Sequence, residues 1–190
     1  MSTLKVQEIQ HTGGTTGLTI DSGGQVALPQ NQNITYFGFN TQTNITSTTP
    51  ATLTTWTRYN NQTTYGFKQV GTAINESSGV FTASKLGVYK VIAEVHFFRD
   101  SSPSARYVRI DLMFRPNGQS YIGGDIYDNV PYSNSDTTYN VAHRVRYYNF
   151  NHTSDSLVLQ AAASNNITIK GASAEHDTQL SFEWVAPPQS

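Results

Sequence analysis

Cysteine is absent from this chain, and charged residues are scarce. The lack of cysteine excludes disulfide frameworks, thiol nucleophiles and thiolate metal sites together. Charged side chains make up only 13% of the 190 residues, and the formal net charge is -1. This composition offers no electrostatic footprint for nucleic acid. No run of residues reaches the ~18 apolar side chains that a membrane-spanning helix needs. We therefore predict no nucleic-acid partner and no membrane insertion.

Patterns for catalysis, metals and cofactors are missing as well. The histidines do not fall into an H-x-H or HExxH arrangement, and the GGTTG stretch lacks the lysine of a phosphate-binding loop. Asp125 and Asp128 supply only two carboxylates, which fall short of the ~6 to 8 oxygen ligands that calcium takes. A turn is therefore a better interpretation of this stretch than a calcium site. Residues 175–177, Glu-His-Asp, lie in a polar stretch that we interpret as a solvated loop. We predict no catalytic residue, no metal and no cofactor, and hence a protein that is not an enzyme.

Glycines divide residues 1–33 into short apolar pieces, LKVQEI, LTI and QVALP, each too small to form a core. Residues 21–24, Asp-Ser-Gly-Gly, predict a hairpin turn between LTI and QVAL. Such a segment is either a loose tail or an arm that becomes ordered against another surface. We interpret residues 1–33 as an attachment arm and residues 34–190 as the folded domain. About 28 residues of such an arm, fully extended, would reach ~90 Å. The start, MSTLKVQEIQ, lacks the features of a secretory signal peptide, so we expect a soluble protein made in a cytoplasm.

Apolar and polar residues alternate through most of the predicted domain, which is typical of β-strands. In VYKVIAEVHFF, every second residue from Tyr89 to Phe97 is apolar, and the opposite face carries Lys90, Glu94 and His96. The segments ARYVRIDLMFR, TTYNVAHRVRYYNF, DSLVLQAAA and TQLSFEWV show related alternation, and Asn117-Gly118 predicts a hairpin turn after the first of these. No amphipathic helix is apparent. Strands without helices must close into a barrel or pack as two sheets.

The stretch GTAINESSGVFTASKLGVYKVIAEVHFF resembles the first half of the jelly roll shared by tumour necrosis factor and the globular heads of the complement first component. Gly79, Phe81, Gly87 and Tyr89 match the Gly-x-Phe and Gly-x-Tyr positions of that family. The resemblance covers about residues 34–186. It departs from the family where Ser154-Asp155 replaces the usual Gly-Asp, and the collagen stalk of the complement proteins is missing. The resemblance implies an all-β, antiparallel two-sheet jelly-roll sandwich that associates as a homotrimer.

The four matching residues have a physical interpretation of their own. Phe81 and Tyr89 are suited to fill a sandwich core, and the two glycines let the chain turn tightly as it passes between sheets. Aromatic residues elsewhere in the domain are candidates for the trimer interface, with capping of the sandwich ends as the alternative. These candidate interface residues are Tyr107, Tyr147, Tyr148 and Phe150.

The segment LKVQEIQHTGGTTGLTIDSGGQV resembles the openings of many tailed-bacteriophage structural proteins, in which an L-K-V-x-x-I-Q piece precedes an L-T-I-D-x-x-G-x-V unit. The resemblance covers about 26 residues. It implies a virion protein, assembled in the host cytoplasm, whose arm joins it to other capsid or tail proteins. The candidate attachment residues are Leu4, Val6, Ile9, Leu18 and Ile20.

Three functions remain open at this point. The first is a virion structural protein, either a head decoration protein or a short fibre that adheres to the host. The second is a carbohydrate-binding module that contacts a host-surface glycan through outward tyrosines, Trp56 and loop asparagines. The third, a glycan-cleaving enzyme, requires two suitably spaced carboxylates, which the sequence does not show.

Overall fold

In the computed structural model of the chain, the described residues form sixteen β-strands and one short 3-10 turn, without an α-helix. The strands build three antiparallel sheets of three, seven and six strands. No helix in this part of the chain is long and apolar enough to cross a membrane. The described residues are 8–10, 16–20, 26–27, 34–58, 72–99, 108–128, 139–163, 167–171 and 178–189.

The smallest sheet lies within residues 8–27 and has the order β1-β2-β3. Ile9 pairs with Leu18, and Ile20 pairs with Val26. The pairing of LTI with QVAL follows the prediction, although the turn residues 21–24 lie outside the described ranges. The strands are β1 (Glu8–Gln10), β2 (Thr16–Ile20) and β3 (Val26–Ala27).

The seven-stranded sheet is organised around its longest strand, β10. This strand pairs along one side with β13, from Gly87 opposite Phe150 to Phe98 opposite Tyr139. Along its other side β10 pairs with β16 and, farther along, with β15. Beyond these strands, β5 pairs with β15, β4 pairs with β16, and β7 pairs with β4. The strands are β4 (Ile34–Phe39), β5 (Thr43–Ile45), β7 (Trp56–Arg58), β10 (Gly87–Arg99), β13 (Tyr139–Phe150), β15 (Ile167–Ile169) and β16 (Gln179–Ala186).

The six-stranded sheet has the order β12-β11-β14-β9-β8, and β6 adds to β14 beside β9. The chain crosses between the two large sheets from β5 to β6, from β6 to β7 and from β7 to β8. It crosses again from β9 to β10, from β10 to β11, from β12 to β13 and on each side of β14. The predicted hairpin at Asn117-Gly118 joins β11 to β12, and both residues have positive φ. The strands are β6 (Ala51–Thr52), β8 (Ile74–Ser77), β9 (Val80–Ala83), β11 (Val108–Arg115), β12 (Ile122–Asp128) and β14 (Ser156–Ala163).

The core lies between the two large sheets, as the alternation predicts. Alternate residues of β10 from Tyr89 to Phe97 are completely buried, and the facing positions of β11 and β14 are buried too. Two-sheet packing of this kind is required because a single open sheet would leave an apolar face in water.

Phe81 is the aromatic residue that joins the two sheets. It lies on β9 of the six-stranded sheet and contacts Phe37 of β4 and Phe182 of β16, with ring centroids 5.0 and 5.3 Å away. Trp56 of β7 packs against the same ring at 5.5 Å. Phe81 is 0% exposed, so its ring is enclosed on all sides.

A second aromatic cluster lies farther along the same core. Tyr89 of β10 contacts Phe150 of β13 at 5.4 Å, and Phe150 contacts Phe114 of β11 at 5.2 Å. The Tyr89 hydroxyl donates a hydrogen bond to the carbonyl of Lys85 at 2.6 Å. Burial raises the pKa of Tyr89 to about 12.

The two glycines of the sequence motif have different roles. Gly79 follows Ser78 in a two-residue hairpin loop between β8 and β9, and both have positive φ, 81° and 52°. A side chain at Gly79 would also collide with the Leu53 carbonyl. The expectation that both glycines turn the chain between sheets is therefore wrong for Gly79, because β8 and β9 share a sheet. Gly87, φ 156°, begins β10 just after the chain changes sheets.

We predict that Phe81→Ala lowers the free energy of unfolding by about 3 to 5 kcal/mol, because the deleted ring leaves a cavity between the sheets. Chemical denaturation measures this change. Thr82→Ala, one position along the same strand and partly exposed, is the control and should cost no more than about 0.5 kcal/mol. Equal stability of the Phe81 and Thr82 variants would contradict the role given to Phe81.

We predict that stability falls as the pH rises from about 10 to about 12. The raised pKa means that folded Tyr89 holds its proton where the unfolded side chain, near pH 10, has lost it. Tyr89→Phe should remove part of this pH dependence and cost about 1 kcal/mol at neutral pH for the lost hydrogen bond. Tyr121→Phe, at a partly exposed residue just before β12, is the control and should change stability at neutral pH by no more than about 0.5 kcal/mol.

Candidate functional site

The described residues do not contain a group of three or more histidine, cysteine or acidic side chains that could hold a metal ion. Residues 175–177 lie outside the described ranges. Asp125 and Asp128 lie on β12, and their side chains lie outside the part of the chain that the structure describes.

Three of the five exposed large apolar side chains among the described residues lie on β13, and the other two are Ile122 of β12 and Val185 of β16. Val141, Val145 and Tyr147 are 52, 41 and 63% exposed. Their positions along the strand differ by even numbers, so their side chains lie on the same face of the strand. β13 is also at the edge of the seven-stranded sheet, with β10 as its ladder partner. A long edge strand with an apolar face is a typical surface for association with another chain.

The neighbouring strand extends this surface. The register places Ile92 directly opposite Val145, and Lys90 directly opposite Tyr147. Ile92 is partly exposed. We call the surface formed by these alternate positions of β10 and β13 the outer face. Its members are Val88, Lys90, Ile92, Glu94, His96 and Phe98 of β10 and Val141, His143, Val145, Tyr147 and Asn149 of β13.

Charged groups on the outer face are few and are paired. Lys90 Nζ lies 3.4 Å from Glu183 Oε2 of β16. Glu94 Oε1 lies 2.6 Å from His96 Nε2. His143 of β13 is exposed and lies directly across the ladder from Glu94. The apolar centre of the outer face is thus bordered by one row that contains the Lys90–Glu183 ion pair and by another that contains the Glu94–His96 contact.

The four candidate interface residues do not share a surface. Tyr147 lies on the outer face. Phe150 is 0% exposed and belongs to the core, so the expectation that it lies on the outside is wrong. Tyr148 is partly buried on the inner side, where its ring stacks on Phe114 at 5.2 Å. Tyr107 lies outside the described residues.

The reason for this division is the two-residue period of a strand. Adjacent residues such as Tyr147 and Tyr148 must point to opposite faces, and Phe150 shares the face of Tyr148. Burial raises the pKa of Tyr148, while the positive charges of Arg146 and Arg144 act in the opposite direction. Sequence reasoning missed Val141 and Val145, although their even spacing from Tyr147 was available as a signal.

Asp155, the residue immediately before β14, has a structural role at the end of the sandwich. Asp155 is 0% exposed, and its carboxylate accepts backbone hydrogen bonds from Asn117, Asn151 and His152 at 2.5, 2.8 and 2.9 Å. Asn117 lies in the turn after β11, and the other two lie in the turn after β13. Asp155 therefore ties two turns together at the end of the sandwich that holds the second aromatic cluster.

Trp56 does not belong to an exposed loop. It is 6% exposed, packs between Phe39 and Phe81, and donates its indole hydrogen to the Leu53 carbonyl at 2.6 Å. The interpretation of Trp56 as a sugar-contacting side chain is wrong for this reason.

The candidate attachment residues fall on the arm. Leu4 and Val6 lie outside the described ranges. Ile9, Leu18 and Ile20 lie in the three-stranded sheet, where the register places Ile9 opposite Leu18. Leu18 and Ile20 are two positions apart on β2, so all three positions share one face of that sheet.

No protein-family model and no curated protein sequence matches this chain. Solved structures do match it in fold. Eiger TNF from S. frugiperda superposes with a TM-score of 0.58 at 14% identity, covering 84% of this chain and 96% of that one. Murine APRIL at pH 5.0 gives 0.57 at 11% identity, covering 82 and 100%. Murine APRIL at pH 8.0 gives 0.54 at 12% identity, covering 80 and 98%. The chain thus has the predicted TNF-like jelly-roll fold, and at this identity the likeness establishes the fold alone.

We predict that Asp155→Asn lowers the free energy of unfolding by about 2 to 4 kcal/mol, because the amide replaces a charged acceptor that serves three backbone donors. Thermal or chemical denaturation at pH 7 measures the loss. Ser154→Ala removes an exposed hydroxyl from the same turn and should cost less than about 1 kcal/mol. Comparable losses in the two variants would contradict the central position of the carboxylate.

Proposed function

We propose that this protein is a bacteriophage virion structural protein, a homotrimeric jelly-roll knob that joins the particle through its amino-terminal arm. The observation that carries the proposal is the combination of two units in one chain. One is a TNF-like sandwich with an apolar outer face. The other is a separate three-stranded sheet in the segment that resembles phage structural proteins.

The outer face supports association of the knobs. Three exposed apolar side chains, Val141, Val145 and Tyr147, lie in a row on an edge strand. Their burial between subunits would remove apolar area from water, and the edge position leaves backbone groups of β13 accessible to a neighbour. The family resemblance implies a trimer, and the contacts of Lys90 with Glu183 and of Glu94 with His96 give these polar groups partners within the subunit when the surface is buried.

The arm supports attachment. The register places Ile9, Leu18, Ile20 and Val26 at positions on one face of the small sheet. An apolar face in contact with water is unfavourable, so a face of this kind favours a covering surface. Another virion protein is the partner that we propose for it.

The length of the arm bears on where the protein is located. Because residues 8–27 contain a folded sheet, only residues 28–33 connect Ala27 to Ile34. Such a connection spans at most ~25 Å, far less than the ~90 Å of a fully extended arm. The knob must therefore sit close to the surface that binds the arm. This favours a head decoration protein or a compact host-adhesion appendage over a long fibre, with assembly in the host cytoplasm.

A carbohydrate-binding module is the second candidate. The buried position of Trp56 removes one of its contact residues. Its remaining support is Tyr147, whose exposed ring is of a type that sugars stack on. A host-surface glycan is in that case a ligand of the knob, which is compatible with a virion location.

We predict that deletion of residues 1–30 leaves a folded trimer that no longer joins particles. Sedimentation gives the oligomeric state, and protein analysis of purified particles gives incorporation. A sharper variant is Leu18→Asp, which places a charge on the shared apolar face of the small sheet. Thr19→Asp is its matched control, because Thr19 lies on the opposite face of the same strand.

Normal incorporation of the truncated chain would contradict the role of the arm. A stable lone subunit at micromolar concentration would contradict the trimer. Binding of the isolated knob on a glycan array, together with its absence from particles, would favour the carbohydrate-binding module instead.

A further inference from the structure

In the row of the outer face next to its apolar centre, one histidine contacts a carboxylate and a second histidine lies directly across the ladder from it. His96 Nε2 contacts Glu94 Oε1 at 2.6 Å, and these side chains are 12 and 33% exposed. His143 lies on β13, directly across the ladder from Glu94. Directly opposed residues have Cβ atoms about 4.5 to 5.5 Å apart, so His143 and His96 lie near the same acidic group.

The other charged groups near this row are already engaged. Lys90 pairs with Glu183 across the β10–β16 ladder. Lys170 lies over the Phe98 ring at 4.1 Å and donates a hydrogen bond to Gln42. Arg144 and Arg146 alternate with the outer-face residues of β13 and belong to its other side. Among the described residues, Glu94 is therefore the carboxylate that faces the two imidazoles.

We propose that subunit association through the outer face is controlled by protonation of His143, and that acidification separates the subunits. This inference rests on the proposed trimer. A proton on His96 is compensated by Glu94, because the two groups are in contact. A second proton, on His143, adds a positive charge to the face after the one nearby carboxylate has been neutralised. Burial between subunits disfavours such an uncompensated charge.

The direction of the pH dependence follows from proton linkage. The associated state holds His143 neutral, whereas the dissociated state lets the ring take a proton. The dissociated state therefore binds more protons, and association weakens as the pH falls below about 6.5, where imidazoles ordinarily change charge. Three copies of His143 per trimer give up to three linked protons. The association constant should then fall by up to about a thousandfold per pH unit.

The test is sedimentation equilibrium of the full-length chain at pH 7.5, 6.5 and 5.5, with circular dichroism to establish that the subunits stay folded. The wild-type chain should be a trimer at pH 7.5 and should dissociate into folded subunits toward pH 5.5. His143→Gln, which cannot take the proton, should remain a trimer throughout.

His152→Gln is the matched control, because His152 is an exposed histidine in the turn after β13 and is not part of the outer face. It should keep the wild-type pH dependence. A wild-type trimer that is equally stable at all three pH values would overturn the proton control while leaving the proposed trimer intact. Acid dissociation that persists in His143→Gln would overturn the proton control in the same way. A lone wild-type subunit at pH 7.5 would overturn the trimer itself, and the proton control with it.

Discussion

The contact of Phe81 with Phe37 and Phe182 is the interaction on which the remaining structure depends. Each large sheet has an apolar face that only the other sheet can cover, and stacked sheets lie about 10 Å apart. A phenylalanine ring reaching from β9 to β4 and β16 spans this gap. Gly79 permits the loop that precedes Phe81 and leaves room for the Leu53 carbonyl. The sequence motif is therefore a requirement for packing two sheets.

The same constraint decides which residues are left for function. Alternate positions of β10 and β13 belong to the core, with Tyr89 and Phe150 in contact between these strands. The positions between them must point away from the core because a strand has a two-residue period. The outer face is thus a consequence of how the core is filled. Val141, Val145 and Tyr147 stay exposed there, which is why we assign them to contacts with other subunits.

Sequence reasoning predicted the parts of the fold that rest on periodicity and on turn chemistry. The buried face of β10 and the Asn117-Gly118 hairpin follow from local rules. The inner position of Tyr148 and Phe150 was also accessible, because they are two positions apart. Selection of these residues by aromatic character alone put them on the wrong side.

Other features depend on contacts between distant segments. The burial of Trp56 follows from packing against Phe39 and Phe81. The pairing of Glu94 with His143 requires the register of β10 with β13, which fixes the partners only once the whole sheet is assembled. Local patterns carry no information about such pairs.

The arm and the outer face are connected through the first strand of the knob. β4 begins at Ile34, opposite Glu183, and Glu183 lies opposite Lys90 of the outer face. The arm therefore enters the domain beside the surface that we assign to subunit contacts. In the proposed trimer, three short tethers would start near one another and present three small sheets to the same particle. A small sheet binds weakly by itself, whereas three linked copies bind with the avidity of high effective concentration. Separation of the subunits would remove that advantage, so a proton-controlled contact between knobs would also govern how firmly the protein is held on the particle.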